Sequence, residues 1–316
     1  MEPHASETLK LGIVGLDTSH VVAFTELLHD SHHPHHLPGA RVVAAYPGGS
    51  ADFALSRDRV PEFTRTLQDV YGVAVVDDVG RLCEQVDAVL LESVDGRVHA
   101  RQFEQIAPHG KPVFIDKPLA LTRQDADTIA MQAAHFGTPV FSSSALRFSE
   151  ALVGALADDR LGRVVGCDAF GPLSLEPTQP GLFWYGIHLA EVLFTVLGPQ
   201  WQDVQSMLVS AQDEIAAARW QDGRYGTLRG NRRGNAHFTA VVHRERGTQF
   251  VDISGCTKPF YASLLEAILA FVRTRVAPVP VADTCAIISW LETANALRED
   301  AQHAVSGSPR PRTTNK

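Results

Sequence analysis

The chain has 316 residues, 45% of them hydrophobic and 20% charged, which is enough to bury a large core and suits two domains. Its formal net charge is −8, with no basic block outside Arg224–Arg233 and the C-terminal tail, so nucleic acid is excluded as the main partner and a small-molecule ligand is expected. No apolar run approaches the roughly 20 residues of a membrane-spanning helix, the N-terminus lacks a secretory pattern, and the scattered Cys83, Cys167, Cys256 and Cys285 read as reduced thiols of a cytoplasmic protein.

Leu9–Leu16 reads as a strand, Gly15 as a turn and Val21–Leu28 as a helix with apolar spacing, which together open a βαβ unit. Further strands are expected at Arg41–Tyr46, Val73–Val76 and Ala88–Leu91, with helices at Pro61–Tyr71 and Val98–Ile106. Histidines crowd at His29, His32, His33, His35 and His36, but Pro34 and Pro38 place them in a loop; they are read as solvated, and no metal site is expected.

The next stretch, Lys111–Thr122, carries most of the functional argument. Val113, Phe114 and Ile115 form a buried strand that stops at Asp116-Lys117-Pro118. Ligands of open α/β sheets collect beyond the carboxyl ends of strands, so this pair stands where chemistry is usually done; the alternative is a solvated ion pair. Thr122-Arg-Gln-Asp125 is a capping box that opens a helix to about Phe136, and Pro139–Ser143 is a sixth strand.

From Glu150 the pattern changes. A short helix to Ala157 leads to a strand at Val164–Phe170, a Pro/Gly-rich loop and an apolar helix at Phe183–Leu197. Strands follow at Val204–Val209, Ala216–Trp220, Gly226–Arg229, His237–His243 and Gln249–Ile253, joined by hairpin-type turns, and two helices, Tyr261–Val276 and Ala282–His303, close the chain. The fold class is therefore α/β: a doubly wound parallel sheet of Rossmann type over residues 1–147, then an α+β domain with a largely antiparallel sheet over 148–303, then a disordered tail at 304–316.

These motifs, in this order, resemble the Gfo/Idh/MocA family, the glucose–fructose oxidoreductase and inositol dehydrogenase group. The resemblance rests on Gly12-Ile-Val-Gly15, on Val86-Asp-Ala-Val-Leu-Leu with His99 behind it, on Lys111-Pro-Val-Phe-Ile-Asp-Lys-Pro, on Leu146-Arg147-Phe148 and on Gly186-Ile-His188-Leu-Ala-Glu191. It covers nearly the whole chain and implies an NAD(P)-dependent oxidoreductase acting on a secondary hydroxyl or ketone of a sugar, cyclitol or related polyol. It also implies that Lys117 lies beside the nicotinamide and that His188 transfers the proton, with Asp116 orienting the loop. A homo-oligomer, dimer or tetramer, is expected on the same ground.

The chemistry suits those residue types. Oxidising a secondary alcohol needs a base whose pKa lies near the working pH, which histidine has and which a buried lysine beside a cationic ring can reach. The family pattern is broken at three places. Asp17 and His20 replace the second and third glycines of the phosphate loop, so Gly12, Gly15, Asp17, Thr18, Ser19 and His20 form an atypical cofactor loop in which Asp17 or Ser19 caps the helix or Asp17 meets the ligand. The second strand runs into Pro47-Gly-Gly-Ser50 without a ribose-binding acid; Ser50, with Arg57 or Arg59, leans the cofactor toward NADP or dual use, against which stands Asp52. Trp184 occupies the place of a carboxylate four residues before His188, and Glu191 is a partial substitute. Ser93 and His99 either cradle cofactor or cap a loop, Arg147 reaches substrate or makes an interdomain salt bridge, Trp184 bounds a pocket, and Tyr185 and Trp220 line a sugar pocket or are simply core. The rival readings are a non-net-redox enzyme (elimination, hydrolysis or epimerisation) with a retained nicotinamide, and a catalytically silent ligand-binding paralogue.

Overall fold

A computed structural model describes residues 8–306. Six strands, β1 (Leu9–Val14), β2 (Ala40–Tyr46), β3 (Ala74–Val75), β4 (Ala88–Leu91), β5 (Val113–Ile115) and β6 (Val140–Ser142), form one parallel sheet in the order β3-β2-β1-β4-β5-β6. Their sequences are short continuous apolar runs because helices cover both faces; β4 and β5 are fully buried along their length. The order reverses between β1 and β4, and a crevice opens beyond the carboxyl ends of those two strands.

Helices α1 (His20–His29), α2 (Ala54–Asp69), α3 (Val79–Gln85), α4 (His99–Ile106) and α5 (Arg123–Phe136) connect the strands. Two of them differ from the sequence reading. Helix α2 begins at Ala54, with Pro61 inside rather than at its start; the missing N–H is tolerated on a helix that is mostly solvent-facing. Helix α3 was not anticipated. It is short, but Asp78 caps it by accepting the Arg81 N–H at 2.8 Å, and Leu82 packs so tightly on Gly12 that a Cβ there would stand 2.5 Å from Leu82 Cδ2. Gly12 is thus a packing glycine. At α5 the capping bond is present, from the Asp125 N–H to Thr122 Oγ1.

The second half holds α6 (Glu150–Ala157), β7 (Val164–Pro172), α7 (Gly186–Leu197), β8 (Trp201–Leu208), β9 (Asp213–Trp220), β10 (Tyr225–Asn231), β11 (Thr239–Arg244), β12 (Gly247–Asp252), α8 (Phe260–Thr274) and α9 (Val281–Ser306). Its sheet runs β12-β11-β7-β10-β9-β8 and is antiparallel except where β10 lies parallel to β7. One face is covered by α7. Helix α8 returns to the first half, where Leu265, Ile268 and Phe271 share a core with Phe24 and Phe141. Helix α9 continues to Ser306; the rest of the expected disordered tail lies outside the described residues.

Candidate active site

The strand ends bring four short segments together: Gly15–His20 after β1, Glu92–Asp95 after β4, Asp116–Lys117 after β5 and Ser143–Ser144 after β6. Helix α7 adds His188 from the other half of the chain. Nζ of Lys117 lies 3.9 Å from Asp116 Oδ2, with the lysine side chain almost buried. The same carboxylate oxygen lies 3.2 Å from His20 Nδ1, and Glu92 Oε2 is 3.6 Å from that nitrogen.

Electrostatics follow from this crowding. Burial would raise the Asp116 carboxyl, but His20 and Lys117 pull it well below the usual range. Burial pushes Glu92 up to about 7, only partly offset by His20. His20 would be lowered by burial, yet Asp116 and Glu92 carry it up to about 9. His188 goes the other way: dense packing and then the Lys117 charge hold it well below 6.5, although its ring keeps some solvent access.

His188 Nδ1 lies 2.7 Å from Ser144 Oγ, and its ring packs against Tyr185 and Phe238, with centroids 5.6 Å away in each case. Those two aromatics line a cavity of about 530 Å³ with Asn231, Arg232 and Ser174. Trp184 stands edge-on to Phe53, at 5.7 Å between centroids, and so joins the two halves across the crevice.

Other candidates are engaged by protein. Glu191 does not hold His188; it takes the Arg147 guanidinium, at 2.9 Å from Nε and 2.7 Å from Nη2, as a buried bridge between the end of the first half and α7. His99 is fully buried, with Nε2 2.7 Å from the Ser93 carbonyl and Nδ1 3.0 Å from that of Pro118, and it ties the β4 and β5 loops together. Ser93 packs on Gly15. Ser50 is buried, its N–H donating to Ser56 Oγ at 2.8 Å. Arg57 pairs with Asp58, while Arg97 grips both Asp52 and Asp95.

Two participants were not anticipated. Glu92 is a carboxylate straight after a buried strand, a signal open to notice in Leu91-Glu92-Ser93. Gln179 donates to Asp95 Oδ1 at 3.0 Å from a loop of the second half; no local pattern marks it. The histidine-rich loop gathers no metal-competent group, whereas His20, Glu92 and Asp116 do, alone among the described residues.

Residues 11–143 match the family model described as oxidoreductase family, NAD-binding Rossmann fold, of Gfo/Idh/MocA type. That match is confined to the parallel-sheet half of the chain, which is therefore similar to the NAD-binding domain of this family. Solved structures of the same fold include GenD2 from gentamicin A biosynthesis in complex with NAD (18% identity, TM-score 0.74, covering 94% of this chain and 96% of that one). Also similar are scyllo-inositol dehydrogenase from Lactobacillus casei with bound NAD(H) and scyllo-inositol (17%, 0.74, 93% and 98%) and the UDP-N-acetylglucosamine 3-dehydrogenase GnnA from Acidithiobacillus ferrooxidans (13%, 0.73, 93% and 98%). A search of curated protein sequences gave no match.

The loop after β1 fits the phosphates of a dinucleotide better than its sequence implies. Asp17 is turned inward, accepting the Val94 N–H at 2.8 Å and the Ser56 hydroxyl at 2.5 Å, and is fully buried. It is neither the N-cap nor directed at the helix end. Ser19 is the N-cap, makes no side-chain cap bond, and no acid stands in the first turn of α1, so the helix end is free to take an anion. Beyond β2 and β3 a cavity of about 770 Å³, lined by Tyr46, Gly48, Asp77 and Arg81, has room for an adenosine end.

Proposed function

We propose that the chain is a nicotinamide-dependent oxidoreductase acting on a secondary hydroxyl or ketone of a sugar, cyclitol or related polyol, with Lys117 and His188 moving the proton. The observation that carries this reading is that Lys117, 3.9 Å from Asp116 after β5, and His188, 2.7 Å from Ser144 after β6, stand at the ends of neighbouring strands beside the aromatic cavity. When bound, the dinucleotide supplies the hydride acceptor. The α1 N-terminus would hold its phosphates, and Asp77 and Arg81 line the cavity that would take its adenosine end. Arg81 lines that cavity as an ion pair with Asp77 at 3.6 Å, so a 2′-phosphate would compete with the Asp77 carboxylate for it, while Arg57 is paired with Asp58.

On the protein side, a neutral imidazole is the form that accepts a proton, and burial with the Lys117 charge keeps His188 in that form near neutrality. Lys117, a cation beside Asp116, stabilises negative charge developing on a substrate oxygen. Tyr185 and Phe238 offer apolar faces to a ring, and Asn231 and Arg232 offer donors to hydroxyls. We assign the protein to the cytoplasm, as a homo-oligomer joined through the second sheet, where Tyr225 and Phe250 are exposed.

The test is titration of the purified chain with NADH and NADPH, followed by fluorescence, and then a panel of inositols and sugars with oxidised cofactor. Binding of one nucleotide and absorbance change with a polyol are expected. No binding of either nucleotide at high micromolar concentration overturns the proposal.

A second reading has its own support. Arg97 links Asp52, beyond β2, to Asp95, beyond β4, and Gln179 reaches Asp95 from the second half, so protein straps the outer side of the groove. A retained cofactor and transient oxidation, ending in elimination, hydrolysis or epimerisation, suit such a closed groove. It predicts product formation with no net change in the absorbance of added nicotinamide.

A further inference from the structure

His20 opens α1, Glu92 follows β4 and Asp116 follows β5, yet the three side chains aim their donor atoms at one spot. One ligand atom from each lies within 4.8 Å of the others, and the two contacts to His20 Nδ1 are 3.2 and 3.6 Å. A cation bound at about 2.1 Å by N and O donors keeps those donors roughly 3 to 4 Å apart, so the site needs little rearrangement.

The group is also unsatisfied. All four carboxylate oxygens of Glu92 and Asp116, and His20 Nδ1, are buried without a hydrogen-bond partner; the 3.2 Å approach of His20 to Asp116 has ion-pair range but not hydrogen-bond alignment. Buried carboxylates elsewhere in the molecule are met by donors: Asp17 by Ser56 and Val94, Glu191 by Arg147, Glu214 by Arg232. Two adjacent buried carboxylates without such donors are strongly disfavoured unless positive charge sits beside them; the protein's own cations here are a protonated His20 and Lys117, and a divalent cation at His20 Nδ1 would take the place of the imidazolium proton.

We propose that His20, Glu92 and Asp116 bind one divalent first-row cation of the Zn²⁺, Mn²⁺ or Fe²⁺ class. One imidazole and two carboxylates form a donor set of borderline hardness, and three protein ligands leave at least one position for water or a substrate oxygen, beside Lys117. The inference does not depend on a dinucleotide. It separates from the histidine-rich loop, where His29 faces Arg41 and the Val42 N–H, His33 accepts the His35 N–H and His36 meets the Leu27 carbonyl.

The full chain is stripped with a chelator, mixed with excess ZnCl₂ or MnCl₂, desalted and assayed for metal by mass spectrometry; a Co²⁺-loaded sample is read by visible absorption. One equivalent of cation is expected, retained in a His33→Ala/His35→Ala variant and lost in Glu92→Gln, with the Co²⁺ spectrum changed by His20→Ala. Glu92→Gln keeps size and removes a buried charge, and circular dichroism checks that it folds. Wild type that retains no cation overturns the proposal: His20, Lys117 and the carboxylates are then a metal-free ion network. Retention that falls in the loop variant but not in Glu92→Gln overturns it as well, as does a Co²⁺ spectrum indifferent to His20.

Discussion

Ser144 Oγ sits 2.7 Å from His188 Nδ1, so a hydroxyl just after β6 fixes the ring that α7 brings from the other half of the chain. The same oxygen accepts the Leu146 N–H at 3.2 Å, which anchors it. With Nδ1 engaged, Nε2 is the nitrogen left for a ligand. Ser144→Ala should lower turnover about tenfold, the value of roughly one hydrogen bond's alignment, with little change in KM. Steady-state kinetics check this; an unchanged turnover would mean that His188 needs no such support.

The depressed pKa of His188 sets a pH dependence. A base of this kind loses activity only as pH falls through its own pKa, so the acid limb of the rate profile should lie below 6.5. The same sign holds for stability: a histidine lowered in the folded state contributes stability above 6.5 that is lost as pH falls toward the folded value. His29, lowered to about 4 by burial and Arg41, adds to the loss over that window. Replacing Lys117 by Met removes the second cause of the His188 shift. Its imidazole resonances should then titrate closer to 6.5 in an NMR pH series, and an unmoved titration would contradict the proximity of the two groups.

The Arg147–Glu191 bridge couples the end of the first half to α7 and is close to fully buried. Glu191→Ala leaves a guanidinium without its partner, which should destabilise the protein by about 3 kcal/mol. Arg147→Leu/Glu191→Leu together should recover most of that loss, because neither charge is then buried alone. Denaturant midpoints of the three proteins decide it; equal loss in the single and double variants would show that the charges themselves are not the issue.

What was legible in the sequence follows from the range of the forces involved. Strands β4 and β5 announce themselves as apolar runs, and Asp116-Lys117-Pro118 marks a strand end by local rules alone. Helix α3 is only seven residues and its neighbours are polar, while Pro61 disguised the start of α2. The direction of Asp17 depends on Val94, 77 residues away, and the engagement of Arg147 on Glu191, 44 residues away. The three-residue group around His20 combines three strand ends, so spacing along the chain carries no trace of it.

Gly15 shows what the β1 turn requires. Its φ is +92°, and a Cβ would stand 2.3 Å from Ser93 Oγ and 2.5 Å from the Ser93 backbone nitrogen, which cannot move aside. Gly15→Ala should therefore cost roughly 3 kcal/mol, combining strain and overpacking between the β1 and β4 loops. Gly72 also has a positive φ, +66°, but nothing lies within 4 Å of its added Cβ. Gly72→Ala should cost only about 1 kcal/mol. Urea unfolding of the pair separates contact from conformation, and similar losses would show that the Ser93 contact is unimportant.

Asp17 is the remaining departure from a glycine-rich phosphate loop, and its effect on a dinucleotide is a question of charge rather than of space. Burial raises its carboxyl pKa, opposed by the bonds from Ser56 and Val94. An amide in its place can still accept the Val94 N–H through its oxygen, while its nitrogen meets Ser56. Asp17→Asn should therefore leave the thermal midpoint nearly unchanged at neutral pH. With phosphates at the α1 N-terminus, loss of the Asp17 carboxylate from the preceding turn should tighten NADH binding several-fold, with a smaller gain at high salt. Fluorescence titrations at two ionic strengths measure both effects. Equal affinity in the two proteins would mean that the phosphates do not approach the α1 N-terminus, and the dinucleotide would then have to lie elsewhere along the crevice.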